Sequence, residues 1–214
     1  MLALVIVVAV VAVGFFTTLA PLADRHFNRV VPDGSAPPSP AAESLHRTLR
    51  VVDLHADALL WPRNLLKRAE HGHVDLPRLQ EGGVALQVFS VVTKTPRGIN
   101  YERNSAATDN VTLLAIAERY PPRAWRSLYE RALFQAAKLR AAERRSGGQV
   151  VILNSGAALD AFLSARLGNP RMVGGILATE GLHPLEGRLD RLDSLAAAGY
   201  RMFGLTHFFD NEVG

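Results

Sequence analysis

Three side chains able to bind a metal recur at alternate positions of one short apolar stretch, V-V-D-L-H-A-D-A-L from Val51 to Leu59. Read as a strand, it turns Asp53, His55 and Asp57 to one side and Val52, Leu54 and Ala56 to the other, because side chains alternate across the pleat. An imidazole nitrogen and a carboxylate oxygen from one rigid element make half of a site for a divalent ion, with a donor set that suits zinc. A single Asp or His in such a strand is more often a capping or hydrogen-bonded group. Three of them together reverse that balance, since burying titratable groups without a compensating ion or partner is costly. The chain has no cysteine, which excludes disulfides, thiolate zinc sites and a cysteine nucleophile together. Any metal must be held by His, Asp or Glu.

Other elements must bring further ligands to that point. From Gln149 onward, strands and helices alternate: strand 150–153, helix 156–167, strand 172–179, helix 185–198 and strand 201–206. Upstream, Asp75 to Gly83 reads as a short capped helix leading into a strand over 84–92, and the segments 104–119 and 124–145 read as helices. The second of these carries Trp125, Leu128, Tyr129, Ala132, Leu133, Ala136 and Leu139 on one stripe and an arginine-rich opposite face, solvated or leaning on anionic lipid. Repeated β-α-β predicts an α/β fold with a parallel sheet or a TIM-like (β/α) barrel. In such a barrel the reacting groups stand where strands end, at their carboxyl termini. Three strands end suggestively, in His55-Ala-Asp57, in Thr179-Glu180-Gly181 and in Thr206-His207. Taken singly, Glu180 reads equally well as a capping acid and His207 as a core histidine. His71 and His73 read as loop residues, and His183 as an outer partner of Glu180.

The amino terminus has a different task. Residues 1–23 carry no charge and are long enough to cross a bilayer, so they read as a transmembrane anchor or an export signal. No good cleavage site precedes Asp24, which favours a single-pass anchor in contact with the lipid bilayer. Arg25 and Arg29 follow the span and by the positive-inside rule would hold the remainder in the cytoplasm, whereas the catalytic domain is expected on the extracytoplasmic side. Residues 24–40, rich in proline and serine, read as a tether, and residues 41–214 as the folded part. A net charge of +4, from 24 Lys and Arg against 20 Asp and Glu, is too mild to point to nucleic acid, and none is expected as a partner.

D-L-H-A-D at 53–57, V-D-L-P-R-L-Q-E-G-G-V at 74–84 running into Q-V-F-S at 87–90, T-E-G-L-H at 179–183 and G-Y-R-M-F-G-L-T-H at 199–207 together resemble the membrane dipeptidase (renal dipeptidase) family of metallopeptidases over residues 45–214. The resemblance implies a (β/α) barrel with two zinc ions that hydrolyses dipeptides, including those whose second residue is a D-amino acid. By matching motif, His55 and Asp57 would hold the first zinc and Glu180 would bridge both. His207 would be catalytic, binding substrate and steadying the tetrahedral intermediate. The family's two further histidines, catalytic aspartate and substrate-binding arginine have no counterpart before Gly214. The chain is therefore expected to be the amino-terminal half of such an enzyme, an incomplete barrel inactive alone. The alternative reading is a non-catalytic membrane-anchored binding module, or a remnant of another metal-dependent amidohydrolase. Homodimerisation stays open.

Overall fold

The computed structural model describes residues 1–32 and 34–214. Helix α1 (Leu2–Phe27) is apolar until Asp24, passes Pro21 and runs four residues beyond Ala23. It has no buried residue before Ala20, where it comes against the folded part through Ala20, which is 3% exposed, and Asp24, which is 1% exposed. A carboxylate so deeply buried needs partners. Asp24 has them: Arg63 Nε at 3.1 Å, His71 Nε2 at 3.0 Å and the Asn28 side-chain amide, which donates at 2.8 Å. Helix α2 (Pro40–His46) opens with the Ser39 hydroxyl accepting the Ala42 N–H and proline in the first helical position.

The described strands are β1 (Val51–Ala56), β2 (Val84–Val91), β3 (Val150–Ile152), β4 (Val173–Thr179) and β5 (Tyr200–Phe203). All their pairings are parallel. Strand β4 is the axis of the sheet: β2 runs along one edge of it, while the other edge pairs with β3 at Val173–Gly175 and with β5 at Leu177–Thr179. Strand β1 completes the sheet beyond β2. The result is the expected α/β architecture, an open, barrel-like parallel sheet with an apolar helix at the amino terminus. Two glycines inside β4 fit the crowding there, since a Cβ on Gly174 would lie 2.6 Å from Leu86 Cδ2 and 2.7 Å from Leu153 Cδ1.

Helices α3 (Leu76–Glu81), α5 (Leu128–Arg145) and α7 (Asp190–Ala197) cover one face of the sheet. Leu76 and Leu79 of α3, Ala132, Ala136 and Leu139 of α5, and Leu195 of α7 form one core with Phe89, Val91, Leu177 and Tyr200 from the strands. Helix α6 (Gly156–Gly168) follows β3 and buries little beyond Phe162. The opposite face of the sheet is open around β1 and β5, where Leu54 is 67% and Met202 42% exposed.

Three predicted helices are shorter than the sequence suggests, each for a local reason. The segment predicted over 104–119 is helical only as α4 (Val111–Ala117). Asn100 accepts the Glu102 and Arg103 N–H groups, Asn104 accepts the Asn100 N–H, and Asp109 accepts the Val111 N–H, so short polar side chains compete with a helical backbone. The segment over 124–145 starts instead at Leu128, where Ser127 caps the Glu130 N–H after a turn of 3₁₀ helix. Between 185 and 190, Glu186 and Gly187 take left-handed backbone angles, φ 49° and 73°, which stop the 3₁₀ turn at Leu185 and delay α7 to Asp190.

Candidate metal centre

Parallel strands put all their carboxyl ends at one rim, and the chemistry predicted from sequence converges there. His55 is the next-to-last residue of β1, with Asp57 just past its end, and Glu180 follows β4 directly. Strand β1 bends as it ends: its register with β2 shifts between Asp53 and Ala56, and the His55 N–H donates to Asp53 Oδ1 at 3.0 Å. Asp53 thereby holds the backbone of a ligand candidate rather than sharing the point where His55 and Asp57 meet. His55 Nε2 lies 3.1 Å from Asp57 Oδ1 and 2.7 Å from Glu180 Oε1. Ligand atoms of His55, Asp57 and Glu180 all fall within 4.8 Å of one another.

His207 arrives from beyond β5, which ends at Phe203 rather than at the predicted Thr206. The segment after it is laced to the β4 end: the Gly204 N–H donates to the Thr179 carbonyl at 2.9 Å, and the Leu182 N–H to the Leu205 carbonyl at 3.1 Å. Glycine at 204 allows this approach, since a Cβ there would stand 3.0 Å from the Glu180 carbonyl oxygen. His207 Nδ1 then reaches Glu180 Oε2 at 2.9 Å. His183, predicted beside Glu180, instead meets the Phe209 carbonyl through Nε2 at 3.3 Å and packs on the Phe209 ring. It fastens the segment that carries His207. Gly181 leaves room for it, because a Cβ at that position would come within 2.5 Å of His183 Nδ1.

The electrostatics follow from this crowding. Burial first, and then the Glu180 carboxylate, pushes the Asp57 carboxyl up to about 6 against the opposing pull of His55. The hydrogen bond to Glu180 raises the His207 imidazole above its ordinary value and favours the imidazolium. Burial lowers the His183 imidazole, so it stays neutral beneath the site. Asp57 Oδ1 is buried and has no well-formed hydrogen bond, its one near neighbour, His55 Nε2, lying closer to Glu180. Two carboxylates turned toward one imidazole nitrogen, with an orphaned oxygen between them, suit a divalent cation, which would relieve their repulsion and complete that oxygen. The residues fit a metal ion.

Two openings flank the cluster. One, of about 490 Å³, is lined by His55, Glu180 and His207 with Leu54, Ser90 and Met202, on the open face of the sheet. The other, of about 310 Å³, lies toward α1 and is lined by Asp53, His55, Asp57, Trp61, His73 and Asn28 among others. His71 and His73 are loop residues, as expected, but each has a place: His71 pairs with Asp24, and His73 faces the second opening. The nearby H-x-H spacing alone could not separate these roles.

The model of the membrane dipeptidase family (peptidase family M19) matches residues 40–214. The chain belongs to that family. No curated protein matches it. Among solved structures, it is similar to a metallopeptidase from Rhodobacter sphaeroides bound to a phosphinate mimic of the dipeptide L-Ala-D-Ala, with 25% identity, a TM-score of 0.53, and coverage of 76% of this chain and 47% of that one. The fold is also shared with dipeptidase AC, a metallopeptidase, at 24% identity and TM-score 0.52 over 74% of this chain and 43% of that one. A third likeness of fold is to the probable dipeptidase PvdM from Pseudomonas aeruginosa, at 19% identity and TM-score 0.52 over 78% and 37%. The chain thus spans less than half the length of these structures. The family is one of dipeptidases, and the solved structures this chain resembles are described as metallopeptidases or a probable dipeptidase.

Proposed function

We propose that this chain supplies the amino-terminal part of a membrane-tethered, zinc-dependent dipeptidase that cleaves dipeptides, including those ending in a D-residue. The observation that carries the reading is the meeting of His55, Asp57 and Glu180 within 4.8 Å, with His207 on the second oxygen of Glu180. Zinc bound there would act as a Lewis acid and lower the pKa of a coordinated water. His55, Asp57 and Glu180 would hold the ion, and Glu180 also orients His207. His207, whose imidazole the Glu180 hydrogen bond shifts toward its charged form, lines the opening where it can donate toward the oxygen that becomes negative as the peptide carbonyl is attacked. A second zinc, held with ligands from the rest of a complete barrel, belongs to the same reading. So do an extracytoplasmic domain on a single-pass anchor and dipeptide substrates; the Rhodobacter relative's L-Ala-D-Ala mimic supports the substrate class.

On this reading the full chain retains zinc after dialysis, loses it in His55→Ala, and shows no dipeptidase turnover by itself. Elemental analysis and an assay with a dipeptide ending in a D-residue are the measurements. A wild-type chain that keeps no zinc would sink the metal assignment, and turnover abolished by Glu180→Gln would sink the half-site.

A further inference from the structure

The loop that begins at Asp57 stays irregular as far as Asp75, the residue that caps α3. Loops of this length in a compact domain are commonly functional or disordered, and this one is tied down. Its middle is fastened by the last turn of α1. Asp24 Oδ2 lies 3.1 Å from Arg63 Nε and 3.0 Å from His71 Nε2, and the Asn28 carbonyl accepts the Gly72 N–H at 2.7 Å. Gly72 leaves the space that the Arg63 guanidinium fills, since a Cβ there would fall on Arg63 Nη1. The Asp24 side chain is 2% exposed and that of Arg63 10%, so the pair is sealed from most water. Neither Arg63 Nε nor His71 Nε2 has a well-formed hydrogen bond, which leaves charge as the hold on the guanidinium. Among the described residues, Asp24 is the one carboxylate paired with Arg63.

The position of Arg63 gives that pairing its weight. Arg63 lines the opening of about 310 Å³ that also holds Asp53, His55 and Asp57, with Asn28 and Trp61 in its wall. Asp53 there is engaged by the His55 N–H, whereas Asp57 Oδ1 is buried without a well-formed hydrogen bond. A guanidinium released into this space would therefore turn to Asp57. Arginine and carboxylate pair strongly, because a planar fork of donors meets two oxygens. A carboxylate so engaged is a poor ligand for a cation.

We propose that Asp24 is a positioning residue for the metal centre: it holds the Arg63 cation back and so leaves the Asp57 carboxylate to a divalent ion. The last turn of α1 is then part of the centre although it carries no ligand. The proposal rests on His55, Asp57 and Glu180 binding zinc.

The test measures the zinc affinity of the full chain in detergent by competition with a chromophoric chelator, and takes the visible spectrum of the cobalt-loaded chain as a second readout. Asp24→Asn keeps the shape but removes the charge. It should raise the zinc Kd about tenfold or more and alter the cobalt spectrum, with the circular dichroism unchanged. Removing the freed cation should undo the damage, so Asp24→Asn/Arg63→Met should bind zinc within about threefold of the wild type. Arg25→Gln, which breaks the exposed pair with Glu70 next to Asp24, should change neither readout. A role confined to holding the loop makes the opposite prediction, because the double variant has lost both partners and would bind no better than Asp24→Asn. That result overturns the proposal, and so does an Asp24→Asn Kd within about twofold of the wild type. Should Asp24→Asn not fold, the double variant decides, since it replaces a buried ion pair with neutral side chains: wild-type affinity supports the proposal and a loss of about tenfold overturns it. A wild-type chain that binds no zinc would remove the metal reading itself, an outcome separate from all of these.

Discussion

Glu180 is shared between two histidines from different strands: Oε1 lies 2.7 Å from His55 Nε2 at the end of β1, and Oε2 lies 2.9 Å from His207 Nδ1 beyond β5. One carboxylate at the end of the central strand therefore ties together elements that pair with opposite edges of β4 or lie beyond them. It needs to be a carboxylate, since two oxygens must face two ring nitrogens at once. Glu180→Gln keeps the shape but turns one oxygen into a donor. The raised His207 imidazole should then fall toward its ordinary 6.5, measurable by NMR titration of the ring protons. The sign is definite: a raised histidine pKa stabilises the fold below 6.5, and that contribution fades as pH rises through the folded value. An unchanged His207 titration in the variant would mean that Glu180 is not its partner in solution.

Asp57 makes metal binding depend on pH. Its carboxyl stands at about 6 instead of 3.8, with burial the main cause. The metal-free fold thus favours the protonated form; this stabilisation is complete below 3.8 and is lost as pH climbs through about 6. A cation needs the carboxylate, so zinc should raise Tm much more at about pH 7 than at about pH 5. Asp57→Asn should raise the Tm of the metal-free protein above pH 6 and abolish the zinc response. Equal zinc shifts at both pH values would argue against Asp57 as a ligand.

Much of this site was legible from sequence because its residues sit at strand ends, where a period of two and a following glycine mark the spot. His55, Asp57, Glu180 and His207 are brought together although up to 152 residues separate them. Asp53 shows where alternation fails: the strand bends at its end, so the third member of an alternating triple turns back to its own backbone. What was not legible is whatever depends on two distant segments. Asp24 reads as the first charge after an apolar run, yet it is buried by Arg63 and His71 from a loop that no periodicity describes. Arg131 reads as one of many arginines on the polar face of a helix, and it is among the most buried side chains in the protein.

A buried ion pair under Trp61 gives a stability prediction. Lys138 Nζ lies 3.6 Å from Glu118 Oε2 and donates to the Trp61 carbonyl at 2.6 Å. Burial pushes the Glu118 carboxyl up to about 7 and lowers Lys138, each against the attraction of the other, so desolvation outweighs the pairing. Lys138→Met alone leaves Glu118 buried without its counter-charge, so that it must take up a proton to stay buried, and should cost about 3 kcal/mol at neutral pH, less in acid, where Glu118 is already neutral. The double variant Glu118→Leu/Lys138→Met should recover most of that loss in urea unfolding. Additive losses would show that the two groups do not interact.

Arg131 should be the least replaceable arginine of α5. Its guanidinium donates to the carbonyls of Thr93, Ala124 and Trp125 at 2.6–2.8 Å, to Asp109 Oδ2 at 2.6 Å and to Thr112 Oγ1 at 2.7 Å, with no solvent exposure. Five donors in a rigid fork meet five acceptors, and these acceptors come from the irregular segments on either side of α4 and from α4 itself. Arg131→Met leaves Asp109 and three carbonyls without their donor, and should cost about 3 to 5 kcal/mol. Arg131→Lys keeps the charge but offers three donors from a single atom, so an intermediate cost of about 2 kcal/mol is expected. Urea unfolding of the two variants ranks them, and hydrogen exchange should show the segment 93–112 opening before the sheet. If lysine restores full stability, charge alone holds that segment and the fork geometry is irrelevant; if methionine costs under about 1 kcal/mol, the network is not formed in solution.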